Sequence, residues 1–486
     1  MESIGYGTLD LSRRLPDPGT VMNGEMSGSN GNGRGVVALS LLALAAAMLP
    51  VLAYWPGLMT WDAVRQYGEA VTGDIDDWHP PAMQWIWRWL IGIHPGPAPM
   101  LLLQSALGWS GLALLAIGAW RRGRGRLACA LLGCGLLPLN LALTGVILKD
   151  CLMAGALLLA CGLLSLRAGV LLRVLAGALL MAAATLRFNA FTASLPLLVA
   201  LLPHRWWSNW PRMLGTGLVA TAALLAAMPV ANRLIGAKPS GVELSLIIFD
   251  LGGITRHAGV SVFPDDMAVG DPVGVNARCY RPNKWDSYSD WVAPECPLGF
   301  TAWNDDVDPQ QVRPYPFWAH AILTHPVAYA EHRLHHFAIN TRLLPLADAV
   351  ERPVPDTAAP NDWGFSVRPN AAMHAIDAVA VASAHTPLGW PIVFIALALG
   401  TLLASRGLAG AWLIAPIALS SLFYGCGYLV FSVASELRYH LWTELAALIA
   451  AVLLIDASRG DRRRLAHAFA PAGIAMLIAM IARTLA

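Results

Sequence analysis

Asp62, Glu69, Asp74, Asp76, Asp77 and His79 crowd into the stretch WDAVRQYGEAVTGDIDDWHPPAMQWIWRWL (61–90), beside five tryptophans. A carboxylate drawn partly out of water has a raised pKa and can act as a general base. Further along, cations break apolar runs in short charged turns. Lys149 and Asp150 do so in LKDC, Arg187 and Asn189 in LRFN, and Glu436, Arg438, Tyr439 and His440 in SELRYH. Each turn alone reads as a wet hairpin with snorkelling side chains. Together with the acids of 61–90 they suit a site where Arg or Lys holds a lipid-linked phosphate while a carboxylate moves a proton.

The elements that must carry these residues can be read locally. Thr60 is placed to cap a helix with Trp61 and Asp62 in its first turn. Asp62, Arg65, Gln66 and Glu69 then share one helical face. Thr72-Gly73-Asp74 ends that helix, and Pro80 or Pro81 can open a second one bearing Trp85, Trp87 and Trp89. Tryptophan favours the headgroup level of a bilayer. The loop is therefore expected to form two short interfacial helices with a carboxylate cluster between them.

The flanks establish the class. Hydrophobic residues make up 56%, charged residues 13%, and the mean hydropathy is +0.53. That excludes an ordinary soluble domain and predicts an all-α polytopic membrane protein. Apolar runs at 36–55, 98–119, 127–147, 151–166, 170–186, 190–203, 213–232, 389–405, 408–430, 441–456 and 467–485 predict about eleven transmembrane helices, several of them short for a crossing. A net charge of +2 without a nucleic-acid motif argues against nucleic acid as a partner. Residues 1–35, rich in Gly, Ser and Asn, read as a disordered cytoplasmic tail.

Alternating the spans from a cytoplasmic N-terminus puts RRGRGR (121–126), Arg167 with Arg173, Arg205 with Arg212, Arg406 and RGDRRR (459–464) all inside. Residues 36–232 then form an N-terminal transmembrane catalytic module with an external loop at 56–97. Residues 233–387 form a mixed extracytoplasmic insert domain, and 388–486 the C-terminal helices. The charged turns fall on the outer face with the loop and the insert. Cys279 and Cys296 are the cysteines of that insert and are expected to form a disulfide, as an oxidising compartment permits. In the insert, Pro326 should start or kink a helix along which Tyr329, His332, Arg333 and His336 recur. This is read as an amphipathic helix on the membrane surface with its polar residues in water, in preference to a metal site at His332, His335 and His336.

The early Asp62 in the first external loop, the HPP turn at 79–81, LKD after the third span, LRFN after the fifth and the late ELRYHLW resemble the GT-C class of membrane glycosyltransferases. The likeness is nearest in style to protein O-mannosyltransferases and lipid A aminoarabinose transferases. It covers residues 52–202 and the neighbourhood of Arg438, and the order of the motifs carries it. The resemblance implies an inverting glycosyltransferase of the bacterial inner membrane with its site facing the periplasm. Its donor would be a polyprenyl-phosphate-linked sugar and its acceptor an extracytoplasmic glycan, lipid or protein. Asp62 would be the base, with Asp77 as rival, since Ala63 follows Asp62 where several relatives have Asp-Glu. Glu69, Asp76 and His79 would shape the acceptor site or, with Asp77, hold a divalent cation. Lys149, Arg187 and Arg438 would bind the donor phosphate, supported by Asp150, Asn189 and Tyr439.

Two other readings fit the same composition. A glycolipid transporter or flippase would use charges such as Asp150 and Arg187 as relay groups, but such proteins often show internal repeats, which this chain lacks. A glycan polymerase or ligase would lean on Arg and His of the outer insert and would not need Asp62.

Overall fold

The computed structural model describes residues 29–485 apart from 167–168, 268, 347–351 and 409–410. The tail expected at 1–35 thus lies largely outside the described residues, as does Arg167. Helix α1 (Ser29–Ala53) leads into strand β1 (Leu58–Met59), the loop helices α2 (Trp61–Thr72) and α3 (Ala82–Ile91), and α4 (Ala98–Trp120). Then come α5 (Gly125–Gly133), α6 (Pro138–Thr144), strand β2 (Val146–Ile147), α7 (Lys149–Ser165), α8 (Val170–Ala184), α9 (Ala190–Leu201) and α10 (Trp210–Ile235). The insert supplies α11 (Glu243–Ala258), α12 (Pro272–Cys279), α13 (Phe300–Asp306), α14 (Pro314–Thr324), α15 (Pro326–Asn340) and α16 (Ala371–Ala384). The chain closes with α17 (Pro391–Ala404), α18 (Ala411–Phe431), α19 (Leu441–Ala457) and α20 (Arg462–Leu485).

The protein is an all-α polytopic membrane protein. Among the described residues, six helices are long and apolar enough to cross a membrane; α5 and α6, bent by 59°, make a seventh if they count as one span. Each of the eleven apolar runs contributes helix among the described residues, but α8, α9 and α17 have only 15, 12 and 14 residues. At 1.5 Å per residue the shortest reaches about 18 Å, against a hydrocarbon core of roughly 30 Å.

Two opposite ends can be told apart. At one, Arg122 donates to Ser165 O, Arg124 pairs with Asp456, and Arg464 donates to Ala404 O and Arg406 O. This gathers the basic segments. Both α7 and α19 start at the charged turns LKDC and SELRYH and finish at that basic end, so the turns lie at the other.

The main core joins the bundle to α2 and α3 through Tyr67, Met83 and Trp87. A second core, with Phe249, Tyr288, Leu298 and Trp303, belongs to α11–α15 and the loops between them. The sulfurs of Cys279 and Cys296 are bonded there. Helix α16 instead joins the main core through Met373 and Ala380.

Candidate active site

Local rules put Asp62 in place. The Thr60 hydroxyl accepts from Ala63 N at 3.3 Å, capping α2, and Gly73 ends the helix in the left-handed region at φ 78°. Strand β1 pairs in parallel with β2, Leu58 opposite Val146 and Met59 opposite Ile147. That pairing fixes Asp62 relative to Lys149. Gln104 of α4 holds β2 by donating to Val146 O at 2.7 Å and Thr144 O at 3.0 Å. Position 145 must be glycine, because a Cβ there would stand 2.1 Å from the Tyr54 ring.

The result is a carboxylate ringed by two cations and an imidazole from three parts of the chain. Asp62 Oδ2 lies 3.0 Å from the Arg438 guanidinium and 3.8 Å from Lys149 Nζ, and Oδ1 lies 3.8 Å from His79 Nε2. The Asp62 side chain keeps 29% of its surface exposed, so the ring is open on one side. Burial opposes its ionisation, but the charges beside it, Arg438 first, outweigh that and hold the carboxyl far below its usual range. Burial pulls Lys149 down to about 8. His79 is pushed well below its ordinary value by burial and then by Lys149.

Arg187 pairs with Asp150, and Arg438 also pairs with Glu436. The Tyr439 ring has two guanidinium groups near it, Arg187 at 4.4 Å and Arg438 at 5.4 Å from its centroid. The Tyr439 carbonyl accepts from Tyr428. Asn189 is buried at the start of α9. The turns LKDC and SELRYH, remote in sequence, therefore meet at Asp62, and LRFN joins them through Asp150 and Tyr439.

The other acids do not join Asp62, because they have partners elsewhere. Glu69 and Asp76 share Arg65, at 3.0 and 2.6 Å. Asp74 pairs with Lys238 at 2.5 Å, and Asp77 Oδ1 accepts from Ser240 N at 2.7 Å and Ser240 Oγ at 2.8 Å. Like charges repel, and a cation or donor for each is the cheaper arrangement. Glu69, Asp76 and Asp77 thus have partners other than the groups around Asp62, whereas His79 stays beside it. Among the described residues no three His, Cys, Asp or Glu side chains converge as a metal site would need. Asp62 itself already faces two cations, so a divalent ion does not fit this ring.

Two groups escaped the sequence reading. His332, Arg333 and His336 were expected in water, but all three are buried. Asp250 of α11, fully buried, partners the first two, and His336 Nδ1 donates to Pro282 O at 2.7 Å. Asp250 lies 2.6 Å from Arg333 and 3.2 Å from His332 and accepts from the Trp318 indole at 2.8 Å. His332 Nδ1 in turn meets Tyr280 Oη at 2.9 Å. The second group is aromatic: Trp78 stands edge-on to Phe300 and Trp291, with ring centroids 5.5 and 5.7 Å away. The loop that carries Asp62 is thereby seated on the insert.

No protein-family model matches the chain, and no curated protein matches it. Among solved structures it is similar to the crystal structure of ArnT from Cupriavidus metallidurans bound to undecaprenyl phosphate. The identity is 14%, the match covers 88% of this chain and 78% of that one, and the TM-score is 0.32.

Proposed function

We propose that this protein is an inverting membrane glycosyltransferase that moves a sugar from a polyprenyl-phosphate donor to an acceptor hydroxyl outside the cytoplasm. One observation carries the reading: a partly open carboxylate, Asp62, faces Arg438 at 3.0 Å and Lys149 at 3.8 Å at the end of the bundle opposite the basic segments. Basic loops mark the cytoplasmic side, so this end is the outer one.

The ring suits the bond changes. The donor phosphate is held by Arg438 and Lys149, whose charge meets the negative charge that builds as the C1–O bond breaks toward phosphate. The acceptor oxygen bonds to C1 from the opposite face, which inverts the anomeric centre, and its proton passes to Asp62. At rest the two cations make Asp62 a weak base. A bound phosphate engages those cations and restores the basicity of the carboxylate just when the acceptor needs it. Arg187, held by Asp150 and lying over Tyr439, adds positive charge behind the phosphate. A carboxylate base with lysine and guanidinium donors performs this chemistry without a metal ion.

The test is the glycolipid content of membranes from a deletion strain, a wild-type rescue and an Asp62→Asn rescue, with protein levels matched. A polyprenyl-phosphate sugar that accumulates in the deletion and Asp62→Asn strains supports the transferase and identifies its sugar. Full rescue by Asp62→Asn with a normal profile removes the reading in favour of a transporter or ligase.

A further inference from the structure

Arg438 sits in a short 3-10 helix, Leu437–His440, fed by residues 432–435, an irregular stretch after α18. An irregular segment next to a site has backbone carbonyls to satisfy, and water or the segment's own turns usually do this. Here each of four successive carbonyls accepts from the insert. Ser432 O accepts from Arg333 at 2.6 Å and Val433 O from Trp285 N at 2.8 Å. Ala434 O accepts from Asn340 Nδ2 at 2.9 Å and Ser435 O from Arg342 at 3.1 Å. Asn340 Oδ1 also meets His440 Nε2 at 2.7 Å, so Asn340 grips the chain on both sides of Arg438.

Two further features support this. Arg342 and Asn340 are buried, and Arg342 adopts φ 60°, a conformation that non-glycine residues rarely take unless the surroundings impose it. The insert also holds the other half of the ring. Asp77 N donates to Lys238 O and Lys238 N to Ile75 O, both at 3.0 Å, two residues or more before His79. Ser240 adds its two bonds to Asp77, at 2.7 and 2.8 Å.

We propose that residues 233–344 act as a clamp that sets Arg438 opposite Asp62, with Asn340 and Arg342 as its positioning residues. The role rests on the reading that Arg438 holds the donor phosphate. Neither positioning residue touches the ring around Asp62; both act by fixing the backbone from which Arg438 projects. The clamp lets a flexible guanidinium be aimed from a single 3-10 turn, Leu437–His440, that follows an irregular stretch.

The experiment uses the full chain in lipid nanodiscs as wild type, Asn340→Ala, Arg342→Lys, Arg438→Ala and the Asn340→Ala/Arg438→Ala double variant. Amide hydrogen exchange is followed over 432–440, and a short-chain polyprenyl phosphate is titrated. Asn340→Ala is expected to speed exchange in 432–440 about tenfold, the scale of one buried hydrogen bond, with α4 and α7 unchanged. It should weaken polyprenyl phosphate binding by a similar factor, and Arg342→Lys, which keeps one donor, by less. In the Arg438→Ala background Asn340→Ala should cost nothing more. Unchanged exchange, or a loss of affinity that persists in full without Arg438, overturns the clamp. If Arg438→Ala binds as wild type does, the donor-phosphate reading fails instead, and the exchange data still decide whether the insert holds 432–440.

Discussion

The Lys149 ammonium stands 2.8 Å from His79 Nδ1. An ammonium can only donate, so Nδ1 is the acceptor and the imidazole proton sits on Nε2, the nitrogen facing Asp62 Oδ1 at 3.8 Å. His79 thereby passes the position of Lys149 on to Asp62 as a neutral orienting group. His79→Gln, whose amide reaches the Nε2 position, is expected to keep kcat within about tenfold of wild type. His79→Asn, which reaches only Nδ1, should lose about a hundredfold, the cost typical of a lost orienting partner. Equal losses in the two variants, measured as initial transfer rates, would sink this assignment.

The buried ammonium sets an alkaline limit. With Lys149 brought down to about 8 by burial, its charge is present below that pH and lost above it. Asp62 stays ionised throughout, and Arg187, Arg438 and Asp150 are the other charges that Lys149 faces. Affinity for a polyprenyl phosphate should be level from pH 7 to about 8 and then fall by up to tenfold per unit. Lys149→Arg should abolish that limb, since guanidinium does not titrate in the range. Titrations from pH 7 to 10 check this, and a limb that survives in Lys149→Arg belongs to another group.

Acid should loosen the insert. His336 is brought down to about 3 by burial first, then by Arg333, against the opposing hydrogen bond to Pro282 O; His332 is lowered too, although Asp250 favours its charge. The unfolded chain therefore binds more protons than the folded one below about 6.5, the ordinary histidine value. Stability must fall as pH drops through that point and keep falling toward the folded value. Thermal midpoints between pH 7 and pH 5 should decline in wild type and decline less in His336→Gln. A midpoint that does not move over this range would mean that these histidines titrate normally.

The architecture was readable because apolar runs and helix caps are local signals. Thr60, Gly73 and Pro81 do at the ends of α2 and α3 what their side chains predict. The cations near Asp62 stood out for a related reason: Lys149 and Arg438, and Arg187 behind them on Asp150, interrupt apolar runs, and a charge at that depth needs a partner. Which partner was not readable, since nothing periodic connects Asp62 with Arg438. Similarly, Asp74, Asp76 and Asp77 look alike in sequence, yet their fates depend on Lys238, Arg65 and Ser240. The misplacement of His332, Arg333 and His336 has a sharper cause. Polar residues at helical spacing look the same whether their face is wet or buried. The clue lay elsewhere, in Asp250 within LSLIIFDLGG, a lone carboxylate among apolar residues that only a buried cation could satisfy.

The two-residue ladder between β1 and β2 makes spacing, more than composition, the property on which the ring depends. Asp62 follows Met59 by three positions and Lys149 follows Ile147 by two, both counted from one joint. A single residue inserted between Met59 and Asp62 would swing the carboxylate by roughly 100° around the axis of α2, since 3.6 residues make a turn. Every side chain would still be present, and the ring would be gone. The unit to transplant into another helical bundle is accordingly the joint with its two offsets, because the charged residues alone do not carry their own alignment.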